Sequence, residues 1–311
     1  MILNKNDVPT PNIAVLLAAY NGINFIKDQL LSILSQLEVN ITVYISVDKS
    51  IDGTEDYLLK WSQTEPRLKL MPLGNTFGSA GSNFYRLIKE VDFLSFDYVA
   101  YSDQDDIWNP NKIACQIKLL RSKKADAVSS DVIAFGVGLN EKVVKKSYPQ
   151  KSFDFIFESA GPGCSFLMKP ILVNRIYEQL ISHDSLANAV VMHDWLTYAI
   201  CRAHNMKWII DSVPTLKYRQ HHNNVIGANI GFKSLFARYI KIKNGWYRDE
   251  VAKICQVCFD INGDDRLRKL GNILNSKNLL SNFLLLPYVF KGRRKFTDIL
   301  FLAAMVSLFV F

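Results

Sequence analysis

Tyr98-Val-Ala-Tyr-Ser-Asp-Gln-Asp-Asp-Ile-Trp108 is a short apolar, β-type run that stops abruptly in three carboxylates, Asp103, Asp105 and Asp106. Carboxylates this close repel one another and stay comfortably ionised only when a cation joins them. A strand that delivers Asp-x-Asp at its C-terminal end is therefore a mount for a hard divalent metal, which typically reaches its ligand through phosphate oxygens. Alternate residues at a strand end point the same way, which makes Asp105 the first choice of ligand and leaves Asp103 facing ribose or metal. An Asp-rich surface turn is the plainer alternative, but Ile107 and Trp108 follow at once and set the acids at the lip of a core.

Working outward, Ile13 to about Ser130 alternates short β-rich runs with amphipathic stretches of helical length. Strands are expected at Ile13–Ala19, Ile41–Val47, Leu68–Met71, Tyr98–Ser102 and Ala127–Ser130, and helices at Phe25–Leu37, Thr54–Trp61, Asn83–Val91 and Asn111–Arg121. Such alternation predicts an α/β, Rossmann-like fold, its mostly parallel sheet covered by helices on both faces. Ligands on these sheets sit beyond the carboxyl ends of the strands, where Tyr20-Asn21-Gly22, Asp48 and Asp103–Asp106 all fall. The repeat breaks between Asp131 and Gln220, a stretch with a Gly161-Pro-Gly163 turn, an expected strand Cys164–Met168, a helix from near Pro170 and another from about His193 to Ala203. The division expected is a catalytic unit over 1–228, with a donor half to about 130 and an acceptor half beyond it, followed by a helical C-terminal region over 229–311.

The chain has 311 residues, 49% of them hydrophobic, enough for a large core, yet no stretch approaches the ~20 apolar residues that span a bilayer. Residues Met1 to Asn12 are polar and precede an apolar run of only seven, without the basic start and cleavage site of a signal peptide, so a cytosolic location is expected. Five scattered cysteines fit reduced thiols, and the lone Cys255-x-x-Cys258 inside a helical pattern fits core packing better than metal or redox chemistry. The formal net charge is +8; Phe232 to Lys295 holds fourteen Lys or Arg against five Asp or Glu, an excess of +9, so the rest of the chain nets −1.

Asp48 emerges from the second strand and is suited to accept from a base N–H, or else, with Asp52-Gly53, to cap a turn before Thr54. Tyr20-Asn21-Gly22 reads equally as a tight turn or as a stacking and ribose contact. Asp194 in His193-Asp194-Trp195 opens a helix, where it is either a stabilised N-terminal anion or a general base that takes a proton from an acceptor hydroxyl. Tyr218-Arg219-Gln220-His221-His222 follows a strand-like Thr215–Tyr218; Arg219 or His221 suits a leaving diphosphate, although paired histidines are more often surface residues.

Taken in order, Ala19-Tyr-Asn-Gly22, Val47-Asp-Lys-Ser-Ile-Asp-Gly-Thr54, Ser102-Asp-Gln-Asp-Asp-Ile-Trp108, Gly161-Pro-Gly-Cys164, His193-Asp-Trp195 and Tyr218-Arg-Gln-His221 resemble the family 2 inverting glycosyltransferases. Within that family the set looks most like the rhamnosyltransferase-type enzymes of bacterial cell-surface polysaccharide and O-antigen assembly, over roughly Ile13 to Gly227. The resemblance implies a GT-A fold, a nucleoside-diphosphate sugar donor, and Mg²⁺ or Mn²⁺ at the Asp-x-Asp. By position it implies Ala19, Tyr20, Asn21, Asp48, Asp103 and Gln104 on the donor, Asp103, Asp105 and His221 on the metal, and Arg219 and His221 on the diphosphate. Gly163, Cys164, His193 and Trp195 fall on the acceptor side, and Asp194 matches the catalytic base. Family members often carry Asp-Asp-Gly-Ser where this chain has Val47-Asp48-Lys49-Ser50, a departure that leaves the nucleotide base unnamed.

Lys291-Gly-Arg-Arg-Lys295 directly precedes the apolar run Ile299–Phe311, an arrangement suited to anionic headgroups followed by shallow insertion at the inner face of the cell membrane, although a helix packed on protein would read the same. The acceptor expected is a glycan or a polyprenyl-linked glycan, and a homo-oligomer is compatible with the sequence. Nucleic acid is not an expected partner, because the basic charge is not interleaved with a stacking platform. Two rivals remain at this stage: a nucleotidyltransferase, for which Tyr20-Asn-Gly-Ile-Asn lacks the Gly-rich basic loop, and a membrane-associated scaffold with a degenerate pocket.

Overall fold

The computed structural model describes residues 9–220, 232–276 and 278–311. The chain runs β1 (Asn12–Ala19), α1 (Ile26–Leu34), β2 (Asn40–Val47), α2 (Thr54–Thr64), β3 (Leu68–Leu70), α3 (Ala80–Glu90), β4 (Tyr98–Ser102), β5 (Ile107–Trp108), α4 (Lys112–Lys123) and β6 (Ala127–Ser130). It continues with β7 (Val132–Gly136), β8 (Leu139–Val144), α5 (Asp154–Phe157), β9 (Leu167–Met168), α6 (Pro170–Ile181), α7 (His193–Ala203), β10 (Trp208–Asp211) and β11 (Leu216–Arg219). Five helices follow: α8 (Phe232–Lys243), α9 (Trp246–Asn262), α10 (Asp265–Ser276), α11 (Leu279–Gly292) and α12 (Phe296–Ser307).

The main sheet has seven strands in the order β10-β6-β9-β4-β1-β2-β3, parallel except for β9, which inserts antiparallel between β4 and β6. From Ile13 to Ala19 β1 is buried throughout, as a near-continuous apolar run covered on both faces must be. Alternate residues serve opposite cores: Ala14, Leu16 and Ala18 face α3, α6, α7 and the C-terminal helices, while Ile13, Val15 and Leu17 face α1, α2 and α4. A second sheet, β5-β11-β7-β8, was not anticipated; its β5 and β11 pair antiparallel and carry the chain back over the acidic turn.

The C-terminal helices share the first of these cores. Ile254, Cys258, Leu270, Leu285, Leu302 and Val306 all belong to it, and α9 packs on α7. Cys255 and Cys258 are buried, their thiols directed at the carbonyls of Leu267 (3.2 Å) and Ala199 (3.7 Å). No helix among the described residues is long and apolar enough to cross a membrane. One expectation is corrected here: Lys291–Lys295 does not face outward as a block. Arg293 pairs with Asp298 at 3.0 Å and Arg294 with Asp154 at 3.1 Å, so only Lys291 and Lys295 of the basic group are exposed. The fully buried Asp154 and the half-buried Glu158 and Asp298 draw the two arginines inward, because a carboxylate taken out of water needs a cation beside it.

Candidate active site

Because β2, β1 and β4 are parallel neighbours, their carboxyl ends bring the loops after Val47, Ala19 and Ser102 to one edge. The first two loops are stitched together. Asn21, in the left-handed region at φ 46°, donates its N–H to Ser50 Oγ (3.0 Å) and accepts from Ile51 N–H (2.9 Å); Gly22 N–H reaches Thr54 Oγ1 (2.8 Å) and Ile23 N–H reaches Asp52 Oδ2 (3.0 Å). Burial would raise the Asp52 carboxyl, but hydrogen bonds from Thr54 and Ile23 hold it below its usual range. Asp52 is thus the turn-capping residue of its loop.

Asp48, buried, accepts from Lys49 N–H (3.0 Å), Phe77 N–H (2.9 Å) and Gly78 N–H (2.9 Å), and so ties the loop before α3 to the end of β2. The Ala19 carbonyl accepts Asp48 N–H at 2.8 Å. Tyr20 leaves its side chain 56% exposed at the edge, free to stack on a planar ligand. Gln104 bonds the Tyr20 backbone reciprocally, accepting from its N–H and donating to its carbonyl, both at 2.8 Å. This amide explains the neighbouring glycine: a Cβ at Gly22 would lie 2.1 Å from Gln104 Oε1.

Past Ser102 the chain leaves the strand and bends at Gln104–Asp105 before β5, so strand alternation no longer governs which acids meet. Among the described residues the group brought together is Asp103, Asp106 and Cys164, with one ligand-type atom of each within 4.8 Å of the others. Asp105 is buried beside this group, not in it; its carbonyl accepts Arg219 Nε at 2.7 Å. Asp106 Oδ1 accepts Arg219 N–H at 3.0 Å, whereas the buried Oδ2 has no hydrogen-bond partner. Burial, reinforced by Asp105, pushes both Asp103 and Asp106 above the usual carboxylate range. Two crowded carboxyls with an orphaned oxygen fit a hard divalent cation. Cys164 is a poor ligand for such an ion: burial and the neighbouring acids push its thiol well up, so it stays protonated beside them.

Two basic side chains frame the acids. The Arg219 guanidinium lies between the rings of Phe25 (5.0 Å) and Phe135 (4.7 Å). Lys112, 1% exposed, sits over the Trp108 ring at 3.9 Å and bonds Gln116 at 3.2 Å; burial lowers it to about 7 against the pull of Cys164 and Asp106. Asp106 is expected from the sequence in the acidic trio but not as a named ligand, and Lys112 is not expected at all. Asp106 was visible in the acidic run, but a lysine at the start of a helix reads as solvent-facing.

The other flank of the acidic cluster is built from the 3₁₀ turn Gly163–Ser165, which precedes β9, and the start of α7. A Cβ at Gly163 would stand 2.6 Å from His193 Nε2 and 3.4 Å from Asp194 Cβ, so only glycine lets this turn approach the helix. Asp194, 9% exposed, accepts Trp195 N–H on Oδ1 at 2.7 Å. Burial raises its carboxyl to about 6, opposed by that N–H, by Lys146 and by Ser159. Asp194 also adds to the field that raises Asp103, which links the two acidic groups. His193 stacks on Phe84 at 3.9 Å, and burial lowers it to about 3, so it is neutral; its Nε2 has no partner. Trp195 turns to the core, its indole N–H on the Phe155 carbonyl (3.0 Å) and its ring on Tyr247. His221 lies outside the described residues.

The loop before Gly163 is anchored from the C-terminal region. Arg294 donates to Asp154 (3.1 Å), to the Ser159 carbonyl (2.5 Å) and, through its backbone, to Glu158 (2.6 Å); Asp154 is also held by Arg202 (2.9 Å) and Tyr198 (2.8 Å). This support had no sequence signal beyond charge.

A sequence model described as glycosyl transferase family 2 matches residues 14–184. Over 296 residues the chain is 39% identical to dTDP-rhamnosyl transferase RfbG of Shigella flexneri, covering 95% of this chain and 100% of that protein. Over 154 residues it is 26% identical to the Escherichia coli UDP-Glc:alpha-D-GlcNAc-diphosphoundecaprenol beta-1,3-glucosyltransferase WfgD, covering 49% of this chain and 57% of that protein. Among solved structures, S. aureus TarS 1-349 in complex with UDP aligns with a TM-score of 0.54 at 12% identity, over 96% of this chain and 90% of that one. Mannosyltransferase PcManGT from Pyrobaculum calidifontis, in complex with GDP-Man and Mn2+, aligns with a TM-score of 0.51 at 17% identity, over 96% and 88%. At such identities the structural likeness is one of fold.

Proposed function

The chain belongs to glycosyl transferase family 2 and is a glycosyltransferase; from that premise we propose that it transfers rhamnose from dTDP-rhamnose, with inversion, to a hydroxyl of a lipid-linked glycan. Support for the donor comes from the near full-length likeness to the Shigella rhamnosyl transferase, and support for a lipid-linked acceptor from the name of the E. coli relative. The observation that carries the chemistry is the meeting of Asp194, raised to about 6, with Asp103 and Asp106 around the Gly163 turn.

In this reading the nucleotide lies across the edge formed by Ala19–Asn21, Asp48 and Gln104, its base stacked on Tyr20. Asp103 and Asp106, with Asp105 beside them, hold Mg²⁺ or Mn²⁺, which when bound offsets charge on the departing diphosphate. Arg219 adds a fixed positive charge on the same side. Asp194 takes the proton of the acceptor hydroxyl as that oxygen bonds to the anomeric carbon from the face opposite the diphosphate; the bond to the diphosphate breaks and the nucleotide leaves with the electron pair. Gly163 and neutral His193 shape the path of the acceptor oxygen. Residues 1–228 form the catalytic unit and 229–311 the support that positions its acceptor loop at the inner face of the membrane.

The test is incubation with dTDP-rhamnose and a polyprenyl-diphosphate-linked acceptor, with and without Mn²⁺. Release of dTDP with a rhamnosylated acceptor is expected. Release of pyrophosphate would reassign the chemistry to a nucleotidyltransferase, and turnover with another sugar nucleotide alone would overturn the rhamnose assignment.

A further inference from the structure

α11 and α12 run antiparallel, since Phe283 near the start of one touches Phe309 past the end of the other at 5.6 Å. Their inner stripes, Leu285 and Val289 on α11 and Ile299, Leu302 and Val306 on α12, lie in the core. Their outer stripes are also apolar: Phe283, Leu284, Phe290, Phe296, Leu300 and Leu308 are each about half exposed or more. α11 carries no charge from Leu279 to Phe290, and the one acid of α12, Asp298, is occupied by Arg293 (3.0 Å) and Arg238 (3.2 Å). An uncharged outer face this wide is unusual on a chain surrounded by water.

Exposed cations stand at one end of the face. Lys291 closes the outer stripe of α11, Lys295 lies in the turn to α12, and a recess of about 200 Å³ is lined by Arg266 and Lys291 with Phe153, Pro287 and Tyr288. We propose that the outer face of the α11–α12 pair lies flat on an anionic lipid bilayer, its aromatic and leucine side chains in the headgroup–acyl boundary and Lys291 and Lys295 on lipid phosphates. Neither helix is long enough to span, so the geometry is in-plane. A second copy is the poorer occupant, because it would cover the apolar stripes but offer the exposed Lys291 and Lys295 no free acid from this face, whose one acid, Asp298, is already paired. Between Lys291 and Lys295 the chain turns Arg293 and Arg294 inward toward Phe157, Ser159 and Asp154, so the lipid-facing turn and the acceptor loop are joined through one short segment. The inference rests on the transferase reading only for the meaning of that connection.

The test is flotation of the full chain with phosphatidylcholine vesicles with and without phosphatidylglycerol, alongside dTDP release with a soluble acceptor. The native chain should float with the anionic vesicles, at least about tenfold less when Leu284→Glu and Leu300→Glu are combined. It should also float less with Lys291→Glu and Lys295→Glu combined, with unaltered circular dichroism and soluble turnover in both variants. Native protein that ignores vesicles, or an apolar-face variant that floats like the native chain, overturns the proposal. So does a native dimer that the variant converts to monomer with no lipid binding in either form. Vesicle binding without nucleotide release in any form would instead overturn the transferase reading and leave the docking face standing.

Discussion

Replacing Asp194 with asparagine separates proton transfer from folding. Asparagine keeps an oxygen for the Trp195 N–H, which Asp194 Oδ1 accepts at 2.7 Å, and nearly the same volume beside Gly163, so the local structure should persist. What is lost is the base, and removal of a positioned general base costs about 10²–10⁴ in rate. Because the Asp194 carboxyl sits at about 6, it is about nine-tenths ionised at pH 7 and about one-tenth at pH 5, so native turnover should fall roughly ninefold between them. The same shift acts on stability with a definite sign. An acid whose folded pKa is raised contributes stability that is present below its unfolded value and lost as pH rises through about 6, here up to about 3 kcal/mol. Chemical denaturation of the Asp194→Asn variant should therefore lack that decline. The assays are dTDP release across pH with acceptor at saturation, donor affinity by calorimetry, and urea unfolding at pH 4 and 7. A variant with near-native turnover, or one that retains the acid limb, would falsify the base assignment; loss of donor affinity alongside turnover would place Asp194 on the donor instead.

The acidic cluster makes its own prediction. Asp106→Asn, which removes charge from the site with the orphaned oxygen, should weaken Mn²⁺ binding at least about tenfold by titration calorimetry, and unchanged affinity would exclude Asp106 as a ligand. Arg294→Met takes one cation from Asp154, which is fully buried and keeps Arg202 and Tyr198; breaking a buried pair costs about 3–5 kcal/mol, and the remaining partners argue for the lower end. Urea unfolding should show that loss together with a raised acceptor KM, and a variant as stable as the native chain would refute the anchoring role.

Much of this architecture could be read before any coordinates. β1 and β4 are largely apolar runs buried on both faces, for which a parallel sheet is nearly the sole solution, and the pattern of α7 bounds it correctly. β9 was overextended because two residues, Leu167 and Met168, are too few for a period, and β8, with Glu141 and Lys142, reads as loop. In the site, alternation suggested a pairing of Asp103 with Asp105, but it ends where the chain bends after Ser102, and the group that meets is Asp103, Asp106 and Cys164. Lys112 and Arg294 look solvated in one dimension, yet each is buried: Lys112 folds between Trp108 and Gln116 of its own segment, and Arg294 reaches Asp154 far along the chain. The final apolar run reads equally as lipid-facing or packed on protein, and its inner stripe fills the core.

The two-residue strand β9, wedged between β4 and β6, bears on how this enzyme could be re-engineered. The turn that leads into it delivers Cys164 to the acids after β4 and Gly163 to the start of α7, so the acidic cluster and Asp194 hang from a common rib. Swapping that turn for one from another transferase would disturb donor and recipient together. The β7–β8 hairpin is not independent of it either, since Phe135 of β7 packs on Arg219 beside the acids and Lys146, just past β8, reaches the Gly161 turn.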